Sequence, residues 1–439
     1  MIRTETERGL RADSNFLCSE LPRLTSRRIP GTDITPSYDP TSICYVLRLA
    51  PPTLFFLRAY SDQRKIEQAM QIQKSDRRLG LELHHANGRS MQIHPLWLRE
   101  RCNDEKSLDE RTEQRLYNPN ALTSQMEIVD VQLVGEGLWH VSFNDGATGR
   151  FRAHDIISEV HQATQLGLPS PHAWNAGFKP VALPWLECSD PGQWREQLEH
   201  FLKFGFVLLS GVPTQPGSVL SVARRFGYLR ETNFGQVFEV RSIPEANDLA
   251  YTGLPLDAHT DNPYRDPVPG VQLLHCLVND SSGGLSTLVD GYAVAEAVRT
   301  TNPDAYAVLA RTPVRFVYKD AESEYIDFAP IIEHDAAGNF AGIRFSPRLD
   351  FVPLLPPDAL EQFYAARVLL DRKLRSSEFE IRFLLAPGEL VIFDNRRVLH
   401  GRTAFDPRSG LRHLQGCYID RDAIESKYRT LTRSGTREQ

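Results

Sequence analysis

A histidine and an aspartate two residues apart open the chemistry of this chain. His259 and Asp261 lie in the stretch LDAHTDNPYRDPVPGVQLLHC, Leu256 to Cys276, and i, i+2 spacing points both side chains to one face of an extended strand. An imidazole and a carboxylate so placed can share a divalent metal. A second histidine would complete the two-His, one-carboxylate set that leaves positions open on non-haem ferrous iron. His400 is the candidate, 139 residues after Asp261 at the end of PGELVIFDNRRVLH, just past an apolar run that reads as a strand. An H-x-D tripeptide alone is more often a surface or core polar pattern than a metal site, so the triad needs company. Arg412, 12 residues after His400 in the strand-like LRHLQGCY, supplies it. A planar guanidinium pairs bidentately with a carboxylate, as an iron site using a keto acid requires. Ser286 and Thr287, after the Gly283-Gly284 turn, offer hydroxyls to the same carboxylate.

His259, Asp261, His400 and Arg412, in this order, resemble the taurine-dioxygenase-like Fe(II)/2-oxoglutarate oxygenases, and more closely their gamma-butyrobetaine dioxygenase branch. The phrases AYTGLPLDAHTD, PGVQLLHCLVNDSSGGLSTLVDGYAVAEAVR, FDNRRVLHGR and RHLQGCYIDRD carry the likeness from Ala250 to Asp422. The resemblance implies Fe(II) bound by His259, Asp261 and His400, 2-oxoglutarate on Arg412, and O2 as oxidant. It also implies a double-stranded β-helix (jelly-roll) core, mainly β with helices, beside a small N-terminal β domain. Relatives of this kind commonly form homodimers.

The elements that must position these residues are legible in part. At 439 residues the chain suits two domains with ample core. A net charge of −6 gives no basic field for nucleic acid. No run of 18 uncharged apolar residues exists, so no membrane partner or span is expected. Six scattered cysteines lack the spacing of a disulfide scaffold and suit a reducing cytoplasm. Asp190 to Lys203, with Trp194, Leu198, Phe201 and Leu202 at helical spacing, predicts an amphipathic helix. FGFVLLSGVP predicts a buried strand, and Pro216 to Phe226, Ala293 to Arg299 and Pro357 to Lys373 predict helices. The catalytic domain is expected over residues 180–432.

Residues 1–75 read as a poorly ordered leader. They are rich in Arg, Ser, Thr and Pro, and their one apolar stretch, Ile43 to Tyr60, is broken by Arg48, Pro51-Pro52 and Arg58. Glu5, Glu7, Asp13, Glu20 and Asp33 argue against an organelle transit peptide. The functional polypeptide is expected to begin near Met70. Residues 76–165 read as an antiparallel β domain, with a hairpin at Asn87-Gly88 and strands in MEIVDVQLV and LWHVSFNDG. This domain, with His-Pro-Leu-Trp-Leu-Arg at 94–99, is similar to the N-terminal domain of gamma-butyrobetaine dioxygenase. Family members often add a Cys-rich cluster and a distal His that hold structural zinc. Here Cys102 stands alone and Ala147 replaces the His, so no structural zinc is expected.

The same resemblance maps a trimethylammonium cage onto Phe234, Phe238, Tyr251 and Tyr418, with Asp248 as a nearby carboxylate. Tyr418 lies six residues after Arg412, hence on the same strand face. Carnitine-forming enzymes use two amide side chains here, where this chain has Asp248 and Pro347. Arg344 and Arg348 flank the second of these in IRFSPRLDF. Extra positive charge suits a phosphonate head, and the sequence is similar to 2-(trimethylamino)ethylphosphonate dioxygenases. The first expectation is therefore hydroxylation of that compound, the alternative hydroxylation of gamma-butyrobetaine to carnitine. A metal-dependent hydrolase would leave Arg412 without a role. A non-catalytic oxygenase-fold binding protein would have no need of an intact triad.

Overall fold

The computed structural model describes residues 71–74, 81–84, 90–135, 137–152, 167–185, 190–241 and 252–437, together with 155, 156 and 159. Contacts divide the chain between Gln63 and Arg64, and everything described belongs to the second unit. The expected leader thus lies outside the described residues up to position 70. So do Asp248 and Tyr251.

The N-terminal part holds two small antiparallel sheets. Gln71–Lys74, Leu81–His84 and Ser90–Ile93 form the first. It begins before the expected start at 76, because Gln71–Lys74 finds backbone partners in Leu81–His84 that its own sequence pattern does not announce. Ile128–Gly135, Leu138–Phe143 and Thr148–Arg152 form the second. The turn between its last two strands is Asn144-Asp145-Gly146, with Gly146 at φ +83° and the Asp145 carboxylate accepting from the Ala147 N–H at 3.1 Å. Leu81, Leu98, Ile128, Val141 and Phe143 close a shared core. Cys102 is buried in it, and burial pushes its thiol up to about 12. It behaves there as a small hydrophobe.

The larger part stacks two sheets face to face. The first runs Phe238–Val240, Arg412–Ile419, Val271–Asn279, Leu390–Asp394, Phe206–Ser210, Ala182–Pro184, with Leu229–Arg230 also on Arg412–Ile419. The second runs Leu256–His259, Val398–Arg402, Ser286–Asp290, Glu380–Phe383. Strand alternation assigns the layers. Phe206, Leu208, Cys276, Leu288, Ile381, Val391, Phe393, Val398 and Leu414 pack between the sheets. Residues one position over point outward: Val207, Leu209, Leu273, Ile392 and Cys417 meet the helices Pro191–Phe204 and Ser218–Phe226. On the other side Val289 and Leu399 meet Gly291–Thr301, Pro303–Arg311 and Pro357–Leu374. This is the jelly-roll core with helices outside.

The helix Pro191–Phe204 shows why these elements form where the sequence places them. Asp190 caps it, accepting from the Gly192 N–H at 3.1 Å, proline fills its first turn, and Gly205 ends it at φ +78°. Its buried face includes Leu198, Phe201 and Leu202. One addition lay hidden in the chain pattern: a three-stranded sheet of Val314–Lys319, Glu324–Ala329 and Asp350–Phe351, whose Tyr318 reaches the site described next.

Candidate metal centre and its pocket

His259 ends the strand Leu256–His259, and His400 is its register partner on Val398–Arg402. The apolar run before His400 is therefore a separate strand, Leu390–Asp394, and a tight turn carries the chain back so that His400 sits mid-strand. Gly401 permits this approach, since a Cβ there would lie 2.4 Å from the Leu256 carbonyl oxygen. Asp261 lies beyond its strand, in a turn that Asn262 closes at φ +52°, a conformation asparagine tolerates better than most residues. Asn395, fully buried, clamps that turn. Its side chain accepts from the Asp261 N–H at 2.8 Å and donates to the carbonyls of Asp261 and Pro269 at 2.9 and 3.0 Å. Sequence reasoning missed Asn395. Its signal is the polar pair Asp394-Asn395 that closes the apolar run Leu390 to Phe393.

The result is convergence. His259 Nε2 lies 3.3 Å and His400 Nε2 3.9 Å from Asp261 Oδ1, and one ligand atom from each of the three residues falls within 4.8 Å of the others. His259 Nδ1–H donates to the Asp257 carbonyl at 2.8 Å, which leaves the Nε2 lone pair facing the centre. Burial and the neighbouring His259 push the His400 pKa down to about 3, so that imidazole is neutral near pH 7. Burial alone would raise the Asp261 carboxyl, yet His400, His259 and a Tyr418 hydrogen bond hold it below the ordinary carboxylate range. Two imidazole nitrogens and a carboxylate oxygen thus converge on one point, the ligand types and number that suit a divalent metal, so the donor set fits one.

The cavity over this centre is lined by Phe234, Phe238, Ser286, Arg348, Arg412 and Tyr418 among others. Arg412 is 5 % exposed, and its Nε and Nη1 have no hydrogen-bond partner among the described residues. A buried guanidinium with open donors fits an anion. Gly284, at φ +67°, leaves room for it: a Cβ there would come within 3.0 Å of Arg412 Nε. Ser286 shares the cavity. Thr287 does not, because strand alternation turns it the other way, toward Gly401.

Aromatic rings line another part of the same cavity. Phe238 packs on Tyr418 with centroids 5.1 Å apart, and Phe234 meets Tyr318 edge to face at 5.7 Å. Tyr264, stacked on Tyr318 at 5.0 Å, joins them. Tyr264 and Tyr318 were not among the expected residues. Tyr264 sits in the DNPYRD phrase three residues after Asp261, whereas nothing local marks Tyr318. Arg348 faces the cavity, near enough to His400 for its charge to help depress that imidazole. Arg344 is a correction. Its guanidinium pairs with Asp327 and, at 2.7 Å, with Glu333, away from the cavity wall. Two carboxylates outbid an exposed pole on the pocket, so Arg344 serves the fold.

Fold, triad and basic pocket define a non-haem oxygenase of the Fe(II)/2-oxoglutarate class. The model of the taurine catabolism dioxygenase TauD, TfdA family matches residues 166–418, and that of the gamma-butyrobetaine hydroxylase-like N-terminal domain matches residues 71–154. Gamma-butyrobetaine dioxygenase of Pseudomonas sp. (strain AK-1) is 38% identical over 360 residues, 81% of this chain and 94% of its own. The human protein of that name is 34% identical over 61% of this chain and 70% of its own. The mitochondrial trimethyllysine dioxygenase of Gallus gallus is 29% identical over 80% and 86%. Among solved structures, the PvcB protein of Pseudomonas aeruginosa aligns with TM-score 0.40 and 25% identity over 52% of this chain and 80% of its own. The chain belongs to the TauD/TfdA family, in its gamma-butyrobetaine dioxygenase-like branch, and is a dioxygenase that uses Fe(II) and 2-oxoglutarate. Among the described residues no helix is long and apolar enough to cross a membrane.

Proposed function

We propose that the chain hydroxylates a small trimethylammonium zwitterion, with His259, Asp261 and His400 holding the iron and Arg412, aided by Ser286, seating the far carboxylate of 2-oxoglutarate. Bound there, iron and 2-oxoglutarate would supply the chemistry that splits O2, one oxygen atom turning a substrate C–H into C–OH and the other entering 2-oxoglutarate as it loses carbon dioxide and becomes succinate. The chain does the rest. Phe234, Phe238 and Tyr418 present ring faces to a quaternary ammonium, which has no N–H to donate. Tyr264 and Tyr318 extend that wall and keep water from the reacting carbon. Arg348 pairs with the anionic head. The observation that carries this reading is the aromatic wall opening onto the triad within one cavity. Two relatives named for gamma-butyrobetaine and trimethyllysine, both trimethylammonium compounds, support it.

For the anionic head, Pro347 and Arg348 favour a phosphonate, 2-(trimethylamino)ethylphosphonate. With Arg344 held by Asp327 and Glu333, one guanidinium carries that preference, and the carboxylate of gamma-butyrobetaine fits the same wall. Succinate formation measured with both compounds side by side tests the choice. Higher kcat/KM is expected on the phosphonate. The opposite order assigns gamma-butyrobetaine, and 2-oxoglutarate turnover with neither removes the trimethylammonium reading. A homodimer in the cytoplasm is part of the same proposal, read out by light scattering and by fractionation of the source cells.

A further inference from the structure

We infer that Tyr418 is a positioning residue for Asp261: its hydroxyl fixes the rotation of the carboxylate, while its ring forms part of the wall that faces the substrate. The inference rests on the metal-centre reading above. The Tyr418 O–H donates to Asp261 Oδ2 at 2.8 Å, while the other oxygen, Oδ1, faces the two imidazoles at 3.3 and 3.9 Å. The two carboxylate oxygens are thus divided between two tasks. Asn395 holds the backbone of the Asp261 turn through both its N–H and its C=O, and its described hydrogen bonds go to backbone atoms rather than to the carboxylate. A clamped backbone leaves the terminal carbon–carboxylate torsion broad. Among the described hydrogen bonds, the one that restrains this torsion from outside the triad comes from Tyr418.

The same residue is fixed from its other side. Tyr418 is 4 % exposed and pairs in register with Gln272 and Arg230 on neighbouring strands. Phe238 lies over Tyr418 because residue 416 is glycine; a Cβ there would come within 2.3 Å of the Phe238 ring. Ring and hydroxyl therefore act on different partners, and substitution can separate them. Tyr418→Phe keeps the ring and its contact with Phe238 while deleting the donor. Tyr418→Leu deletes both.

The test is Co(II) titration of the purified metal-free chain, followed by visible absorption, beside steady-state KM for the trimethylammonium substrate. Loss of an outer partner of a metal ligand weakens metal binding about 10- to 100-fold. Tyr418→Phe is expected to raise the Co(II) Kd by that factor, and Tyr418→Leu to raise it as far while raising substrate KM above that of Tyr418→Phe, since the two variants differ by the ring. Asp261→Ala is the control and should abolish high-affinity binding. If Tyr418→Phe binds Co(II) as tightly as the unaltered chain while Asp261→Ala does not bind, the positioning role is wrong and the metal centre stands. If Asp261→Ala binds normally, the metal centre itself is misassigned. Should Tyr418→Phe fail to fold, Tyr418→Met, a donor-free side chain of adaptable shape, takes its place for the Co(II) readout: the same rise in Kd is expected, with substrate KM raised as for Tyr418→Leu because the ring is gone, and an unchanged Kd overturns the positioning role.

Discussion

Replacing Arg412 by methionine should move two measurements in opposite directions. The guanidinium is 5 % exposed, with Nε and Nη1 unpartnered among the described residues, and lies over the Phe405 ring at 5.3 Å. Burial lowers its pKa, the mark of a cation held where water solvates it poorly. In the ligand-free enzyme that cation is a liability, costing about 1–3 kcal/mol for unsatisfied buried donors. Methionine keeps the apolar stem and removes the charge, so metal-free Arg412→Met should be more stable by about that amount. Binding should suffer the reverse. Two charge-assisted hydrogen bonds to a carboxylate, each worth about 1.5–3 kcal/mol, are lost together. Taking about 3–4 kcal/mol as the conservative total, 2-oxoglutarate should bind two to three orders of magnitude more weakly, since about 1.4 kcal/mol is tenfold. The assays are calorimetric titration of 2-oxoglutarate into the Mn(II)-loaded chain and urea unfolding of the metal-free chain. A Kd within threefold of the unaltered chain, or a metal-free variant that is less stable, refutes the reasoning.

Two further outcomes are expected. Phe238→Ala removes one ring face from the wall, worth about 1–2 kcal/mol against a desolvated cation; KM for the trimethylammonium substrate should rise about 5- to 30-fold with the 2-oxoglutarate Kd unchanged, and an unchanged KM would place the cation elsewhere. Away from the site, burial pushes the His275 pKa from 6.5 down to about 4; the unfolded chain then binds the extra proton first, so stability present above pH 6.5 is lost as pH falls toward 4, and His275→Leu should flatten that limb in urea unfolding against pH.

How much of this was written in the chain depends on the distance over which each feature is decided. Periodicity and caps are local. The helix Pro191–Phe204, with Asp190 before it, Pro191 in its first turn and Gly205 after it, is readable from a few residues. Val271–Asn279 is a mostly apolar stretch, interrupted by Gln272 and His275, that is buried on both faces along most of its length. The hairpin of Leu81–His84 with Ser90–Ile93 follows from alternation around a turn dipeptide. His259, Asp261, His400 and Arg412 are named by residue type, spacing and order, whereas Tyr418 came from the family resemblance, with which its even spacing from Arg412 agrees. Gln71–Lys74 escaped, since its strand character comes from its partner.

What the tertiary structure alone decided is which side chains face one another. The sequence could not tell Arg344 from Arg348, two guanidiniums four residues apart. One is turned to Asp327 and Glu333, on other segments, and the other to the cavity. Ser286 and Thr287 were offered as equals until the register of Ser286–Asp290 against Val398–Arg402 put one inside and one outside. Tyr318 enters the aromatic wall from a sheet whose place over the pocket no local pattern marks. Asn395 meets Asp261 across 134 residues of chain. The physical reason is common to all four: composition and spacing fix what a residue can do and which way its own strand points it, whereas its partner is set by packing between segments remote in sequence.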